Sequence, residues 1–144
     1  MKKLLYLTQT DTTMGFVSQD ASKIDHAKKR LPNKHYICVV NSLKTLQKFT
    51  RVPTKHKNRI RRTKRTTFIM PNGTSYRVVK ETEHNLLLDR VEWLYSSSAN
   101  LSGAIYNKAY AKEMSEVTIN FPNQTKGKAS KIYHLSQTNI KLIR

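Results

Sequence analysis

The sequence has few acidic residues. Its 144 residues include 9 Asp and Glu against 27 Lys and Arg, which gives a formal net charge of +18. The cations are spread along the chain, and their excess is much larger than solubility requires. The charge therefore indicates a polyanionic partner, for which RNA, a nucleotide and a membrane surface are the candidates.

Cysteine and long apolar runs are also scarce. The single Cys38 excludes an internal disulfide, and its place in the apolar run YICVV predicts a buried thiol. No stretch reaches the about 18 consecutive apolar residues that a membrane span needs. The apolar part of the opening MKKLLYLTQTD is too short for a signal peptide. We therefore expect a cytoplasmic protein with no membrane partner.

Common motifs for nucleotides, nucleophilic catalysis and metals are missing. The sequence contains no G-x-x-x-x-G-K-[ST], no G-x-G-x-x-G and no G-x-S-x-G. Its five histidines are scattered, and no two of them stand four residues apart, so we expect no tightly bound metal. A nucleotide would have to bind outside the commonest phosphate cradles.

Local patterns predict alternating strands and helices, followed by a run of strands. Strands are predicted at residues 4–7, 35–40, 117–121, 130–136 and 138–144, and helices at residues 21–31, 42–49, 82–94 and 107–115. The sequence TTFIMPNGTSYRVV at 66–79 predicts a β-hairpin around Asn72-Gly73. The length suits one domain with a real core. The order of elements favours an α/β (α+β) fold, a twisted mixed sheet with flanking helices.

Polar residues are concentrated where predicted strands end or helices begin. Four groups stand out: TQTDTT at 8–13, Lys28 to Arg30, SSSANLSG at 96–103, and Ser130 with Arg144. Because ligands of open α/β sheets bind at strand ends, these groups predict a shared binding site.

Each group also has a plainer interpretation. SSSANLSG is either a solvated loop or an anion cradle, in which small side chains let backbone N–H groups approach phosphate oxygens. The cations at 28–30 are either phosphate ligands or charges that offset the dipole of their helix. Arg77 is either a site residue or an exposed charge on the hairpin.

Taken in order, TQTDTTMGF, KKR, TTFIM, YRVV, SSSANLSG, SKIYHL and IKLIR resemble the YrdC/YciO-type threonylcarbamoyl-AMP synthase family. The resemblance runs from residue 5 to residue 144, and TDTTMG and SSANLSG are its most specific parts. It implies a YrdC/RibB-like fold around a concave basic cavity, with residues 1–144 as a single domain and no second C-terminal domain. It also implies that L-threonine, bicarbonate and ATP are joined into threonylcarbamoyl-adenylate for the t6A modification of tRNA.

The resemblance implies roles for individual residues. Thr10 and Arg77 would bind threonine, the arginine through the carboxylate. The nucleotide would be bound by Lys28, Arg30, Ser98, Asn100, Ser130 and Arg144, with Ser97 and Ser102 as supporting hydroxyls. A charge-rich phosphorus centre needs fixed cations and N–H donors more than a nucleophile, so no catalytic residue is assigned. ATP would enter as a substrate with Mg²⁺, tRNA or double-stranded RNA would be the macromolecular partner, and we expect a monomer.

Two other functions stay open. The sequence departs from the family pattern at Gln9, Met14 and Val39, and its internal loops are short. These departures favour a non-catalytic, YciO-like protein that binds double-stranded RNA, tRNA or nucleotide through the same basic cavity. An unrelated basic RNA-binding protein, such as a ribosomal component, would explain the charge but not the ordered motifs.

The densest run of charge is KHKNRIRRTKR at 55–65, with seven Lys and Arg in eleven residues. A cationic segment beside a nucleotide cavity is well placed to follow an RNA backbone. We therefore predict that Arg61, Arg62, Lys64 and Arg65 bind RNA. The alternative is a solvated, mobile loop.

Overall fold

The computed structural model describes residues 3–10, 12–30, 35–80, 82–101, 103–119 and 130–144. The strands are β1 (Tyr6–Gln9), β2 (Met14–Ser18), β3 (Ile37–Val40), β4 (Thr66–Ile69), β5 (Ser75–Val78), β6 (Trp93–Ser98), β7 (Val117–Ile119), β8 (Lys131–Leu135) and β9 (Ile140–Leu142). The helices are α1 (Ala21–Lys28), α2 (Leu43–Leu46), α3 (Lys57–Arg62), α4 (Thr82–Val91) and α5 (Lys108–Met114). A 3-10 turn at Thr54–His56 leads directly into α3.

These strands form one mixed sheet in the order β7-β1-β2-β6-β3-β5-β4-β8-β9. The pairs β1–β7, β3–β5 and β4–β8 are parallel. The remaining neighbours are antiparallel. The predicted fold class, a twisted mixed sheet with flanking helices, is confirmed.

The two faces of the sheet are covered differently. Because side chains alternate along a strand, Phe16 of β2 packs in one cluster with Ile24 of α1, whereas Val17 packs in another with Leu88 of α4. The first face carries α1 and α5 near β1 and β2, and α2 and α3 near β4 and β5. On the second face α4 covers the centre of the sheet, and the strand ends beside it remain open for a cavity.

The ends of α1 follow from its caps. Asp20 accepts a hydrogen bond from the backbone N–H of Ser22 at 3.0 Å, and Lys29 ends the helix in a left-handed conformation, with φ at 50°. The helix therefore ends at Lys28, before the predicted residue 31. Pro32, the predicted stop, lies outside the described residues.

Two local predictions are confirmed. Ser42 caps α2 by accepting a hydrogen bond from the backbone N–H of Thr45 at 3.2 Å. The hairpin also forms, with β4 antiparallel to β5 and Gly73 at a φ of 85° in the connecting turn. Only glycine adopts that conformation without strain, which is why Asn-Gly is such a clear hairpin signal.

The helix predicted at 82–94 ends at Val91, and Trp93 and Leu94 lie in β6 instead. Three further elements differ from the sequence prediction. No strand was predicted at β2, because a hydroxyl-rich turn runs into it without regular alternation. The serines of SSSANLSG were placed beyond a strand end, but Ser96 to Ser98 lie in β6 and pair with β2. Residues 57–62 form α3, although KNRIRR offers a single apolar residue, Ile60, and therefore no helical periodicity.

Cys38 lies in the core, as predicted. Its side chain is 3% exposed, and burial raises the pKa of its thiol to about 12. In the part of the chain that the structure describes, no helix is both long and apolar enough to cross a membrane.

Candidate functional site

A cavity of about 440 Å³ opens beside the strand ends. It is lined by Thr10, Thr12, Thr13, Arg30, His35, Tyr36, Ile37, Arg77, Ser96, Ser97, Ser98, Ser130 and Arg144. The residues come from all four polar groups of the sequence, so the predicted convergence on one concave surface is observed. Lys28 and Asn100, which were expected to face the nucleotide, are not among the lining residues.

The hydroxyl of Thr10 organises the turn between β1 and β2. It accepts hydrogen bonds from the backbone N–H groups of Thr12 and Thr13, both at 3.2 Å, and donates to the Thr13 carbonyl at 2.7 Å. Thr10 is 5% exposed. Its hydroxyl therefore fixes the wall of the cavity and presents Thr12 and Thr13 to the interior.

Gly15 allows this turn to lie close to β6. A Cβ atom at Gly15 would stand 2.9 Å from the Thr10 methyl carbon and 3.0 Å from the Ser97 carbonyl oxygen. Packed atoms do not approach so closely. The turn and β6, the strand that carries Ser96 to Ser98 and is called the serine strand below, therefore meet only because glycine has no side chain.

Gly15→Ala is expected to lower the free energy of unfolding by about 1–3 kcal/mol, the usual cost of forcing an extra carbon into a packed region. It should also weaken ligand binding in the cavity, because Thr10 must move. Chemical denaturation and ligand titration measure the two effects. Gly73→Ala is the control for a glycine replaced outside the cavity. Alanine strains the backbone there, but its Cβ would contact no atom within 4 Å. An unchanged ligand affinity in Gly15→Ala would show that the close approach is not needed.

The turn after β6 is held by its own side chains and by Lys28. Asn100 donates from its amide to the carbonyls of Leu101 and Ala104, at 2.9 and 2.8 Å, and accepts from the Ser98 hydroxyl. Lys28, which is 3% exposed, donates from Nζ to the carbonyls of Ser98 and Asn100, both at 2.8 Å. These contacts make Lys28 and Asn100 supports of the serine strand, behind the cavity surface. Lys28 therefore does more than offset the dipole of its helix, because its ammonium group is bonded to two carbonyls of another segment.

The charge state of Lys28 gives a pH-dependent prediction. Burial, together with the charge of Arg30, lowers its pKa from 10.5 to about 8. Between these pH values the unfolded chain keeps the proton that the folded chain has released, so the contribution of Lys28 to stability rises with pH. We compare the free energy of unfolding of the parent with that of Lys28→Met. The difference should be constant below about pH 8 and should increase in favour of the parent toward pH 10.5. Urea unfolding across this range measures it, and a flat difference would contradict the assignment.

Arg30 is positioned by an aromatic ring. Its guanidinium carbon lies 5.3 Å from the centroid of the Tyr36 ring, a cation–π geometry. The Tyr36 hydroxyl donates to a carboxylate oxygen of Asp25 at 2.6 Å, which fixes the ring. Burial and this bond raise the pKa of Tyr36 to about 12, so the hydroxyl stays protonated and keeps donating.

Arg77 lies inside the cavity wall. It is 5% exposed and donates from Nε to the Thr67 hydroxyl and from Nη1 to the Thr12 hydroxyl, both at 3.2 Å. The interpretation of Arg77 as an exposed hairpin charge is therefore wrong.

Hydroxyl groups connect this arginine to a second one. The Thr67 hydroxyl donates to the Ser130 hydroxyl at 3.4 Å, and Arg144 donates from Nη2 to the same hydroxyl at 3.3 Å. Arg144 also donates from Nε and Nη2 to the Ser130 carbonyl, at 3.2 and 3.1 Å. The chain of polar contacts holds both guanidinium groups on one wall.

Three guanidinium groups thus line the cavity, from Arg30, Arg77 and Arg144, among hydroxyls of serine and threonine. The described lining residues include no carboxylate. Fixed cations and neutral donors in a partly enclosed space favour ligands with several negative charges.

Comparison with known proteins gives one distant relative by sequence. The chain is 34% identical over 107 residues to the uncharacterised MG259 homolog of Mycoplasma pneumoniae, a match that covers 69% of this chain and 21% of that protein. No family model matches the sequence.

Solved structures identify the fold. P. abyssi Sua5, crystallised with L-threonine, superposes with a TM-score of 0.81 at 18% identity, covering 98% of this chain and 50% of that one. The fold is YrdC-like. Full-length HypF in its phosphate- and nucleotide-bound form superposes with a TM-score of 0.75 at 13% identity, over 98% of this chain and 26% of that one. The chain thus spans half or less of these neighbours, and the likeness concerns the fold.

Within the YrdC-like fold, the residues predicted to bind RNA lie outside the cavity. Arg61 and Arg62 are exposed on α3, and Lys64 and Arg65 are exposed in the connection to β4. Ile60 anchors α3 in the core at 1% exposure. The prediction of a mobile loop is wrong for residues 57–62, because they form a packed helix.

Sequence reasoning missed one residue that lines the cavity, Tyr36, and one that supports a lining residue, Thr67. Tyr36 and Thr67 fix Arg30 and Arg77, yet an aromatic and a threonine inside apolar strands look like ordinary core residues. Their positions in the sequence could have indicated them. Thr67 lies on the hairpin strand that pairs with the strand of Arg77, and Tyr36 follows Arg30 shortly after α1. Among the described residues, no group of three or more His, Cys, Asp or Glu could hold a metal ion.

Proposed function

We propose that this cavity binds L-threonine, bicarbonate and ATP and forms threonylcarbamoyl-adenylate for the t6A modification of tRNA. The observation that carries the proposal is the set of three cavity arginines, with serine and threonine hydroxyls and no described carboxylate, on a YrdC-like fold. Bicarbonate, ATP and the released pyrophosphate are anions, and threonine carries a carboxylate, so such a lining suits them.

The reaction needs charge stabilisation at two places. The threonine amine forms a C–N bond to the bicarbonate carbon with loss of water, and a carbamate oxygen then bonds to the α-phosphorus of ATP. The bond from that phosphorus to the bridging oxygen breaks, and pyrophosphate leaves with the electron pair. Negative charge accumulates on the phosphoryl oxygens during this transfer, and preorganised cations and N–H donors stabilise it.

In this proposal different residues of the cavity bind the different substrates. Arg77, buried beside Thr12 and Thr67, is the ligand for the threonine carboxylate. Arg30, whose guanidinium group lies over the Tyr36 ring, binds the phosphates together with Ser98, and Ser130 and Arg144 bind the rest of the nucleotide. Mg²⁺ enters as part of the ATP substrate. P. abyssi Sua5 was crystallised with L-threonine and HypF in a phosphate- and nucleotide-bound form, which supports these classes of ligand for a protein of the same fold.

A second function has its own supporting observation. The hydroxyl of Thr10 is bonded within its own turn, and Lys28 and Asn100 are bonded to backbone carbonyls at the end of β6 and in the turn that follows it. With these groups occupied, the cavity would bind a nucleotide or RNA without forming the adenylate, as the departures at Gln9 and Met14 indicated.

Substrate omission separates the two functions. Pyrophosphate release from ATP is measured with threonine and bicarbonate together and with each left out. The synthase requires release that depends on both, whereas a binding protein gives ATP binding without release. Pyrophosphate release from ATP that does not depend on threonine would contradict the proposed reaction.

A further inference from the structure

The imidazole of His35 lines the cavity and has no part in the proposed reaction. It belongs to an exposed residue of the cavity lining. No hydrogen bond or ion pair joins this imidazole to the residues that the structure describes. By contrast, the side chains of Thr10, Arg77 and Arg144 are hydrogen-bonded within the protein. The imidazole of His35 is therefore available to a ligand.

The segment that enters β3 directs His35 into the cavity. Side chains of an extended chain alternate between the two faces of a sheet. Tyr36 packs in the cluster of Phe16 on one face, and Ile37 packs against the cluster of Val17 on the other. His35 precedes Tyr36, so the alternation places it on the face of Ile37, which also lines the cavity.

His35 lies in the part of the cavity that is proposed to bind phosphates. Ile37 pairs antiparallel with β6 at a position two residues before Ser98. His35 stands two residues before Ile37, so it is expected beside Ser98 on the neighbouring strand. The next residue along the chain, Tyr36, carries the ring over which the guanidinium carbon of Arg30 lies at 5.3 Å. Both proposed phosphate ligands, Arg30 and Ser98, are thus neighbours of His35 in the lining.

Among the described lining residues, His35 alone has a side chain of a type that titrates near neutral pH. Arg30, Arg77 and Arg144 carry guanidinium groups, which stay protonated. Burial raises the pKa of Tyr36 to about 12, so its hydroxyl also keeps its proton. Imidazole groups, in contrast, exchange a proton between about pH 5 and 8. The charge of the cavity therefore depends on pH through this one residue.

Other ionisable groups adjoin the cavity without lining it. Burial, with the charge of Arg30, lowers the pKa of Lys28 to about 8, which is at the alkaline end of the imidazole range. Asp25 accepts the hydrogen bond of the Tyr36 hydroxyl. Because the described lining contains no carboxylate, no fixed anion there competes with a ligand for a protonated imidazole.

We propose that His35 is a phosphate-binding residue of the nucleotide site and that ATP binds more tightly when its imidazole is protonated. The inference rests on the proposed binding of ATP but not on formation of the adenylate. A protonated imidazole donates a charge-assisted hydrogen bond from a ring nitrogen to a phosphate oxygen. The bound phosphate in turn favours the charged ring, so the complex takes up a proton as it forms.

Two substitutions fix the two charge states of this position. His35→Gln keeps a polar side chain that is neutral at every pH, and His35→Arg introduces a permanent cation. His134→Gln is the control, because it removes an exposed histidine outside the cavity lining. Isothermal titration with ATP is carried out between about pH 5.5 and 7.5, the range in which imidazole titrates. Buffers with different ionisation enthalpies give the number of protons taken up, and the titration of ATP itself is common to all four proteins.

The parent should bind ATP roughly tenfold more tightly than His35→Gln at the acidic end of this range, the weight of one hydrogen bond to a charged group. The two affinities should converge toward the alkaline end. The parent should also take up more protons for each ATP bound than His35→Gln. His35→Arg should bind ATP tightly at both ends of the range, and His134→Gln should follow the parent.

Three results would overturn the proposal. They are the same pH dependence in His35→Gln as in the parent, an equal change in His134→Gln, and ATP binding by His35→Arg that is no tighter than by His35→Gln. The first would leave His35 as an exposed residue before a strand. Pyrophosphate release, measured on the same proteins, separates this inference from the reaction. ATP binding that depends on His35 without threonine-dependent release would count against the proposed reaction alone.

Discussion

Arg77→Met is expected to abolish threonine-dependent pyrophosphate release while the protein still folds. Methionine occupies a similar volume, and replacing a buried charge by an apolar group removes its desolvation cost. The variant would lose the proposed charge-assisted contact to the threonine carboxylate, which is worth about 1.5–3 kcal/mol, or roughly 10- to 150-fold in affinity. Isothermal titration with L-threonine measures the loss.

The conservative variant Arg77→Lys is the matched control for charge. Lysine keeps the cation but cannot reach Thr67 and Thr12 with a planar fork, so we expect partial recovery of threonine binding. ATP affinity should be near the parent value in both variants. Threonine binding that survives in Arg77→Met would place the amino acid elsewhere, and the division of the cavity would have to be abandoned.

Arg30→Ala is expected to weaken ATP binding by about 1.5–3 kcal/mol, the scale of a hydrogen bond to a charged group. The reason is its place in the cavity lining, where the guanidinium group lies over the Tyr36 ring that Asp25 fixes and would contact a phosphate in the proposed complex. Equilibrium dialysis with labelled ATP measures the change.

Lys29→Ala provides the comparison, because it removes the same charge from the adjacent residue. Lys29 is exposed and lies outside the cavity lining. A general electrostatic effect would weaken ATP binding equally in both variants, whereas a specific contact affects Arg30→Ala alone. Equal affinities in the parent and Arg30→Ala would leave Arg30 as a cation at a helix end.

The sequence was informative wherever a local rule decided the structure. Asn72-Gly73 predicted the hairpin because few residues tolerate the backbone of that turn. Ser42 predicted a helix start through its side-chain oxygen. β2 and α3 were not predicted, because their formation depends on residues distant in sequence. β2 lies between β1 and β6 in the sheet, and α3 is held by the burial of Ile60.

The candidate site was predictable to a similar degree. Small hydroxyl residues and arginines at strand ends indicated the location of the cavity, and most of them line it. The inward contacts of Lys28 and the support that Tyr36 gives to Arg30 were not predictable, because both arise between segments that meet only in the folded chain. A polar residue type shows that a hydrogen bond must form, but not which partner satisfies it.

The proposed reaction is tested most directly by following the bicarbonate carbon. The protein is incubated with isotopically labelled bicarbonate, L-threonine and ATP, and the nucleotide products are separated and analysed by mass spectrometry. We expect a labelled threonylcarbamoyl-adenylate that forms with the parent and is lost with Arg77→Met. ATP that binds to the protein without any label entering a nucleotide adduct would contradict it and leave the cavity as a binding site only.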